Sequence, residues 1–187
     1  MSDFASKLYV RLAKDIINTS LLEEWMNRYK VNLIGSTILE ILYDVLYEDS
    51  DVDFEIAESL MEEATHPDVL ACIFINNLGH LIRRQPALPL VSKRYLQFGN
   101  RIEIVSSGSW RQDKQCLQNF GFCRNTWNPK DGLTMNDTEA VKEKQGFCDV
   151  YSEIVCRFQS GHHPFDAVSR IMMRVAKYTR RGFLVEY

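Results

Sequence analysis

No stretch of this 187-residue chain is long and apolar enough to cross a membrane as a helix. The longest nearly uncharged run, Val69 to Ile82, contains Asn76, Asn77 and His80 and falls short of the roughly 20 apolar residues a spanning helix needs. The opening MSDFASKLYVRLAKD scatters charges among its apolar residues, so it lacks the apolar core of a secretory signal, and neither end carries a lipidation signature. Cysteine is sparse: five residues, an odd number at loose spacings. That is no disulfide framework, and it predicts reduced thiols in a cytoplasmic or nuclear protein. Nine glycines and five prolines are too few for a collagen-like or low-complexity chain, and 45% hydrophobic residues are too many for a disordered one. There is no internal repeat.

A strong charge of one sign is also missing. The net charge is −3 and the pI about 5.8, below the basic balance of a dedicated nucleic-acid binder. The distribution is more informative than the sum. Residues 40–68 carry eleven acids and no lysine or arginine, whereas residues 83–114 carry seven bases against Glu103 and Asp113. Opposed charged surfaces of this kind steer association with a partner or a second copy.

What is present reads as helix. Phe4, Leu8, Leu12 and Ile16 recur every four residues, predicting an amphipathic helix over 3–18. Ser20 with Glu23 forms a capping box for a helix over 21–30. Ser36 or Thr37 caps a third helix, and Asp53 caps a fourth through Ala64, after a solvated turn at 48–51. Thr65-His66-Pro67-Asp68 is a helix start, and Val69 to Ile82, apolar on nearly every side, predicts the central helix of the fold. Arg101 to Val105 alternates and is β-branched, the one strand candidate in the first two-thirds. Asn125, Asn128-Pro129 and Asp131-Gly132 predict a loop or lobe boundary over 121–136. Asp137 or Thr138 starts a further helix. Pro164 begins a last long one, with Val168, Ile171, Met172, Val175 and Tyr178 inward, and a short terminal strand follows Gly182. The expected architecture is mainly α: a single compact multi-helix domain, eight or nine helices around a central apolar helix near 67–84, with a minor short-strand element. Its core lobe spans 1–120, with residues 137–187 packed on it.

Candidate chemistry is thin. Cys116, Cys123, Cys148, Cys156, His162 and His163 are soft ligands in the last third, but their spacings are not the short knuckles that bring two thiolates onto one zinc ion. Buried thiols in a hydrophobic core explain the cysteines as well. His163-Pro164-Phe165-Asp166 resembles the His-Pro-Phe motif of Fic-type nucleotidyl transferases. The resemblance implies His163 as a base, but the following Asp166-Ala167-Val168-Ser169 lacks the family's phosphate-cradling glycines and asparagine. Pro67 to Phe74 followed by Leu90 to Tyr95 looks like an F-box, which implies docking on an adaptor; the gap between its halves is longer here.

No motif for phosphate, metal or acyl chemistry is intact. The leading expectation is therefore a non-enzymatic intracellular interaction protein, an adaptor, assembly subunit or regulatory factor, with no cofactor and no metal. It would dock a protein partner or a second copy through Glu55, Glu58, Glu62 and Glu63 on one helix and Arg170, Arg174, Lys177 and Arg181 on the last. The alternative is RNA or DNA binding through the basic and aromatic residues Arg83, Arg84, Lys93, Arg94, Arg101, Trp110 and Arg111, aided by the basic last helix.

Overall fold

In a computed structural model of the chain, the described residues are 3–48, 50–75, 82–84, 95–98, 102–106, 120–148, 150–151, 154–155 and 163–186. They belong to two compact units. The first comprises Met1–Gln85, Ser92–Gly108 and Thr126–Thr134, the second Pro86–Val91, Ser109–Asn125 and Met135–Tyr187.

The first unit is built on a sheet of seven strands: β1 (Asn32–Ile34), β2 (Val52–Ile56), β3 (Ile82–Arg84), β4 (Tyr95–Phe98), β5 (Ile102–Ser106), β6 (Asn125–Asn128) and β7 (Gly132–Met135), in the order β3-β4-β5-β2-β1-β6-β7. Only β2 and β5 pair in parallel among the registers given by β1 to β6; β1 is antiparallel to both β2 and β6. Five helices accompany the sheet: α1 (Asp3–Leu12), α2 (Thr19–Arg28), α3 (Ser36–Tyr43), α4 (Glu58–Ala64) and α5 (Pro67–Ala71). Because side chains alternate across a strand, one transverse row faces the helices. Trp127 on β6, Leu33 on β1, Phe54 on β2 and Ile104 on β5 are register partners in turn, and all four are buried. Trp25 of α2 stands edge-on to Phe54 and Phe74, with ring centroids 5.5 and 5.8 Å away, and its indole N–H donates to the Ala64 carbonyl at 2.9 Å. A buried aromatic with its polar tip satisfied closes the core.

The second unit holds a 3-10 turn (Gly121–Cys123), α6 (Thr138–Glu143), α7 (Pro164–Arg180) and a two-stranded parallel sheet of β8 (Gln145–Phe147) and β9 (Leu184–Glu186). Its core is aromatic. Phe122 stacks on Phe120 and Phe183 at 5.0 and 4.3 Å, and Tyr178 meets all three rings edge-on. Gly146 is needed beside them, since a Cβ there would lie 2.5 Å from the Phe122 ring.

The mainly α expectation is therefore corrected: this is a mixed α/β fold with two sheets and, among the described residues, seven α-helices. The central helix near 67–84 ends at Ala71. Leu70, Ile73 and Phe74 are buried as its apolar character implies, but Phe74 forms a β-bridge with Ile16, and Ile82–Arg84 is a strand. A short run apolar on both sides suits a buried strand as well as a helix, and periodicity cannot separate the two. The helix over 53–64 is likewise two elements, β2 and then α4. α1 stops at Leu12, and α2 is capped by Asn18, whose side chain accepts from Ser20 N at 2.8 Å, in place of Ser20 itself. Residues 125–135, expected as loop, form β6 and β7; their turn chemistry makes the hairpin, with Asn128 Oδ1 accepting from the Lys130 and Asp131 amides. Asp137 caps α6, Pro164 opens α7 and the strand after Gly182 is present, although Val168 and Met172 of α7 face solvent.

Candidate functional site

The first unit concentrates polar groups on the far face of its sheet from the Leu33–Phe54–Ile104 row. β1 ends at Ile34 and the chain turns at Gly35 directly into α3. Gly35 has φ +82° and ψ −157°, a region essentially restricted to glycine. It is also short of space: a Cβ would lie 2.4 Å from Asp53 Oδ2. The carboxylate of Asp53 therefore sits against the bare turn that opens α3, where the first-turn amides of a helix favour negative charge.

Asp53 has an acidic neighbour across the sheet. In the parallel β2–β5 ladder Asp53 is the partner of Glu103, and on its other side it is the partner of Ile34. Side chains of register partners point to the same face, with neighbouring strands about 4.8 Å apart. Asp51 lies two residues before Asp53, immediately ahead of the first residue of β2. All three acids are half-buried. Glu55, the next residue on this side of β2, is buried.

Such a set of carboxylate oxygens has the chemistry that hard divalent cations such as Mg²⁺ prefer. As the side chains stand, no three His, Cys, Asp or Glu groups among the described residues are gathered closely enough to hold an ion. What is in place is the backbone register that makes Asp53 the partner of Glu103. Gly35 itself puts no side chain between this turn and the Asp53 carboxylate. By the chemistry of their oxygens these residues fit a divalent cation.

The residues singled out from sequence lie elsewhere. Glu55 is buried on β2, Glu58 is half-buried, and Glu62 and Glu63 are exposed on α4, with Glu63 3.8 Å from Arg28. Arg170 and Arg174 are exposed on α7, Lys177 is half-buried, and Arg181 sits at its C-cap over the Tyr178 ring. Arg83 and Arg84 belong to β3; Lys93, Arg94, Arg101, Trp110 and Arg111 lie outside the described residues. Cys116, Cys156 and His162 do too. Cys123 and Cys148 are buried, and burial pushes the Cys123 thiol up to about 11, outweighing the Tyr178 hydrogen bond and the nearby Arg174, Arg181 and Lys177. His163 is the N-cap of α7, its Nδ1 accepting from Phe165 N at 3.2 Å, which accounts for the His-Pro-Phe letters.

Sequence reasoning missed Gly35, Asp51, Asp53 and Glu103 as a set. Two signals were present: polar and apolar residues alternate from Asp51 to Ile56, and a Gly-Ser pair stands directly before an apolar-periodic run.

No protein-family model matches the sequence, and no curated protein sequence does. Solved structures do match the fold. A CCA-adding enzyme in complex with CTP superposes with TM-score 0.55 at 16% identity, over 97% of this chain and 42% of the enzyme's. The Thermotoga maritima CCA-adding enzyme complexed with tRNA gives TM-score 0.56 at 14% identity, over 100% and 43%. A CCA-adding enzyme with ATP gives 0.55 at 17% identity, over 98% and 42%. The chain thus spans less than half the length of the enzymes whose fold it shares. This likeness corrects the expected non-enzymatic, regulatory helical interaction protein: the fold is one that nucleotide-using enzymes adopt, and nucleic-acid binding, the alternative expectation, lies nearer to them. Among the described residues, no helix is long and apolar enough to cross a membrane.

Proposed function

We propose that this chain carries a nucleotidyltransferase site, acting on a nucleoside triphosphate with an RNA 3′ end as acceptor. The observation that carries the reading is the register of Asp53 with Glu103, with Asp51 two residues before, beside the glycine turn that opens α3. Asp51, Asp53 and Glu103 would hold the divalent cation. When bound, a divalent ion neutralises phosphate charge and polarises the oxygens of an in-line phosphoryl displacement. The chain's own contribution is placement. The first-turn amides of α3 would orient a phosphate.

Two further points support the reading. The matched enzymes were solved with CTP, with ATP and with tRNA. Arg170 and Arg174, exposed on α7, have the chemistry to contact RNA phosphates. A cytoplasmic setting suits such a substrate.

The test is incorporation of α-labelled nucleoside triphosphates into short RNAs ending in a free 3′-hydroxyl, with Mg²⁺ or Mn²⁺ and each nucleotide in turn. Cation-dependent label transfer is expected, falling by at least about 100-fold in Asp53→Asn, as when an electrostatic group acting in the transition state is removed. Transfer that survives intact in both Asp51→Asn and Asp53→Asn would overturn the assignment, as would failure of the wild-type chain to bind or transfer any nucleotide.

A further inference from the structure

The loop that returns from α3 to β2 is tied back to α3 at three places. Glu40 Oε1 accepts from the Tyr47 amide at 2.7 Å. The Thr37 hydroxyl donates to the Asp51 carbonyl at 2.9 Å, and the Ser36 and Ser50 hydroxyls are hydrogen-bonded at 2.8 Å. Residues 36, 37 and 40 lie on adjoining positions of the helix surface. Ser36, Thr37, Glu40 and Ser50 are all buried, so these bonds are exchanged with protein and not with water. Glu40 is itself held by Arg11 at 3.1 Å.

This lacing matters unequally for the two aspartates. Asp53 is held by the sheet on both sides, between Ile34 and Glu103. Asp51 precedes β2, whose ladder begins with Val52 opposite Ile102. Its carbonyl is gripped by Thr37, and its predecessor is anchored to Ser36. A carboxylate at the mouth of a strand, at the end of an eight-residue return, owes its place to such anchors.

We propose that Ser50, through its buried hydrogen bond to Ser36, is a positioning residue that sets Asp51 for the divalent cation. The inference rests on the cation site proposed above. Ser50 touches neither nucleotide nor ion; it acts through the adjoining backbone, as groups behind the ligands of a metal site commonly do, and their loss typically weakens metal binding about 10- to 100-fold.

The experiment measures Mn²⁺ binding alone, by the loss of the free-ion electron paramagnetic resonance signal, in wild-type protein and in Ser50→Ala, Asp53→Asn and the double variant Ser36→Ala/Ser50→Ala. Ser50→Ala leaves Ser36 with an unpaired buried hydroxyl, so its melting temperature should fall along with its affinity. The double variant leaves no orphaned group, and removing both partners of a buried hydrogen bond is nearly neutral for stability. It should therefore melt close to wild type and still bind Mn²⁺ about 10- to 100-fold more weakly. A double variant binding Mn²⁺ as tightly as wild type overturns the positioning role while leaving the site intact. Wild-type binding unaffected by Asp53→Asn would instead remove the cation site itself, and the inference with it.

Discussion

Replacing Gly35 by alanine tests the site at its tightest point. Two separate effects are expected. The first is conformational. At φ +82° and ψ −157° a residue with a Cβ is strained, and holding it there costs about 1–3 kcal/mol. The second is steric and local. The added Cβ would stand 2.4 Å from Asp53 Oδ2, whereas ordinary van der Waals contact begins about 1 Å further out. Either the turn or the Asp53 carboxylate must give way. The turn is fixed by β1 on one side and α3 on the other, so the carboxylate is the softer partner. A displacement of about 1 Å at a reacting centre can cost about 100-fold in rate. The variant should therefore lose about 1–3 kcal/mol in urea denaturation while its nucleotide transfer falls far more steeply than its folded fraction. Circular dichroism should report an unchanged helix and strand content. A Gly35→Ala protein with wild-type denaturation midpoint and wild-type cation affinity would refute the reasoning, because it would mean that neither the dihedral nor the contact is a constraint in solution.

Two other expectations follow from buried polar groups. Arg11→Met should cost about 3–5 kcal/mol in the same denaturation assay, since the side chain of Glu40, 1% exposed, loses its cation partner; a loss below about 1 kcal/mol would class the pair with weak surface bridges. In the second unit, burial holds the Cys123 thiol at about 11 against an ordinary 9.0 and raises Tyr178 as well. The folded state thus keeps protons that the unfolded chain releases first, so the contribution of these two groups to stability is full below about pH 9 and declines as pH rises towards 11. A Cys123→Ala variant should show a shallower decline in melting temperature across that window; identical slopes would contradict it.

How much of this was legible beforehand depends on how far each feature reaches along the chain. α7 was visible because Pro164 starts it and because Ile171, Val175 and Tyr178 face the core at helical spacing. α6 was visible through Asp137, whose side chain accepts from Ala140 N at 2.8 Å. β5 was visible because its five residues alternate. β2 shows the same alternation over Val52–Ile56, but an aspartate ahead of an apolar run is also what a helix cap looks like, and local chemistry cannot choose between them. β1 is three residues long, too short to establish any period. The hydroxyls of Ser36 and Thr37 suit a helix cap, but in the fold they bond to Ser50 and to Asp51, fourteen residues on. The parallel pairing of β2 with β5 joins residues 50 apart, and no local signal announces it. Glu103 becomes meaningful only once that pairing is known.

The hidden site and the visible core are nevertheless products of one pattern. Alternation sends Leu33, Phe54 and Ile104 to the helix-covered face, and the same alternation sends Asp53 and Glu103 to the opposite one. A one-residue slip of β2 against β5 would turn β2 over, carrying Asp53 and Glu55 to the side of Trp25 and Phe74, and Phe54 to the polar side. Each unpaired buried charge would cost several kcal/mol, and losing Phe54 from the interior would forfeit a further 2–3 kcal/mol of apolar burial. The register is thus held by the core. Because Asp53 and Glu103 are neighbours only in that register, the hydrophobic row also sets the spacing of the acids. Core substitutions on Phe54 or Ile104 that leave the chain folded but loosen this ladder should then weaken Mn²⁺ binding from the far side of the sheet, without touching a single polar group.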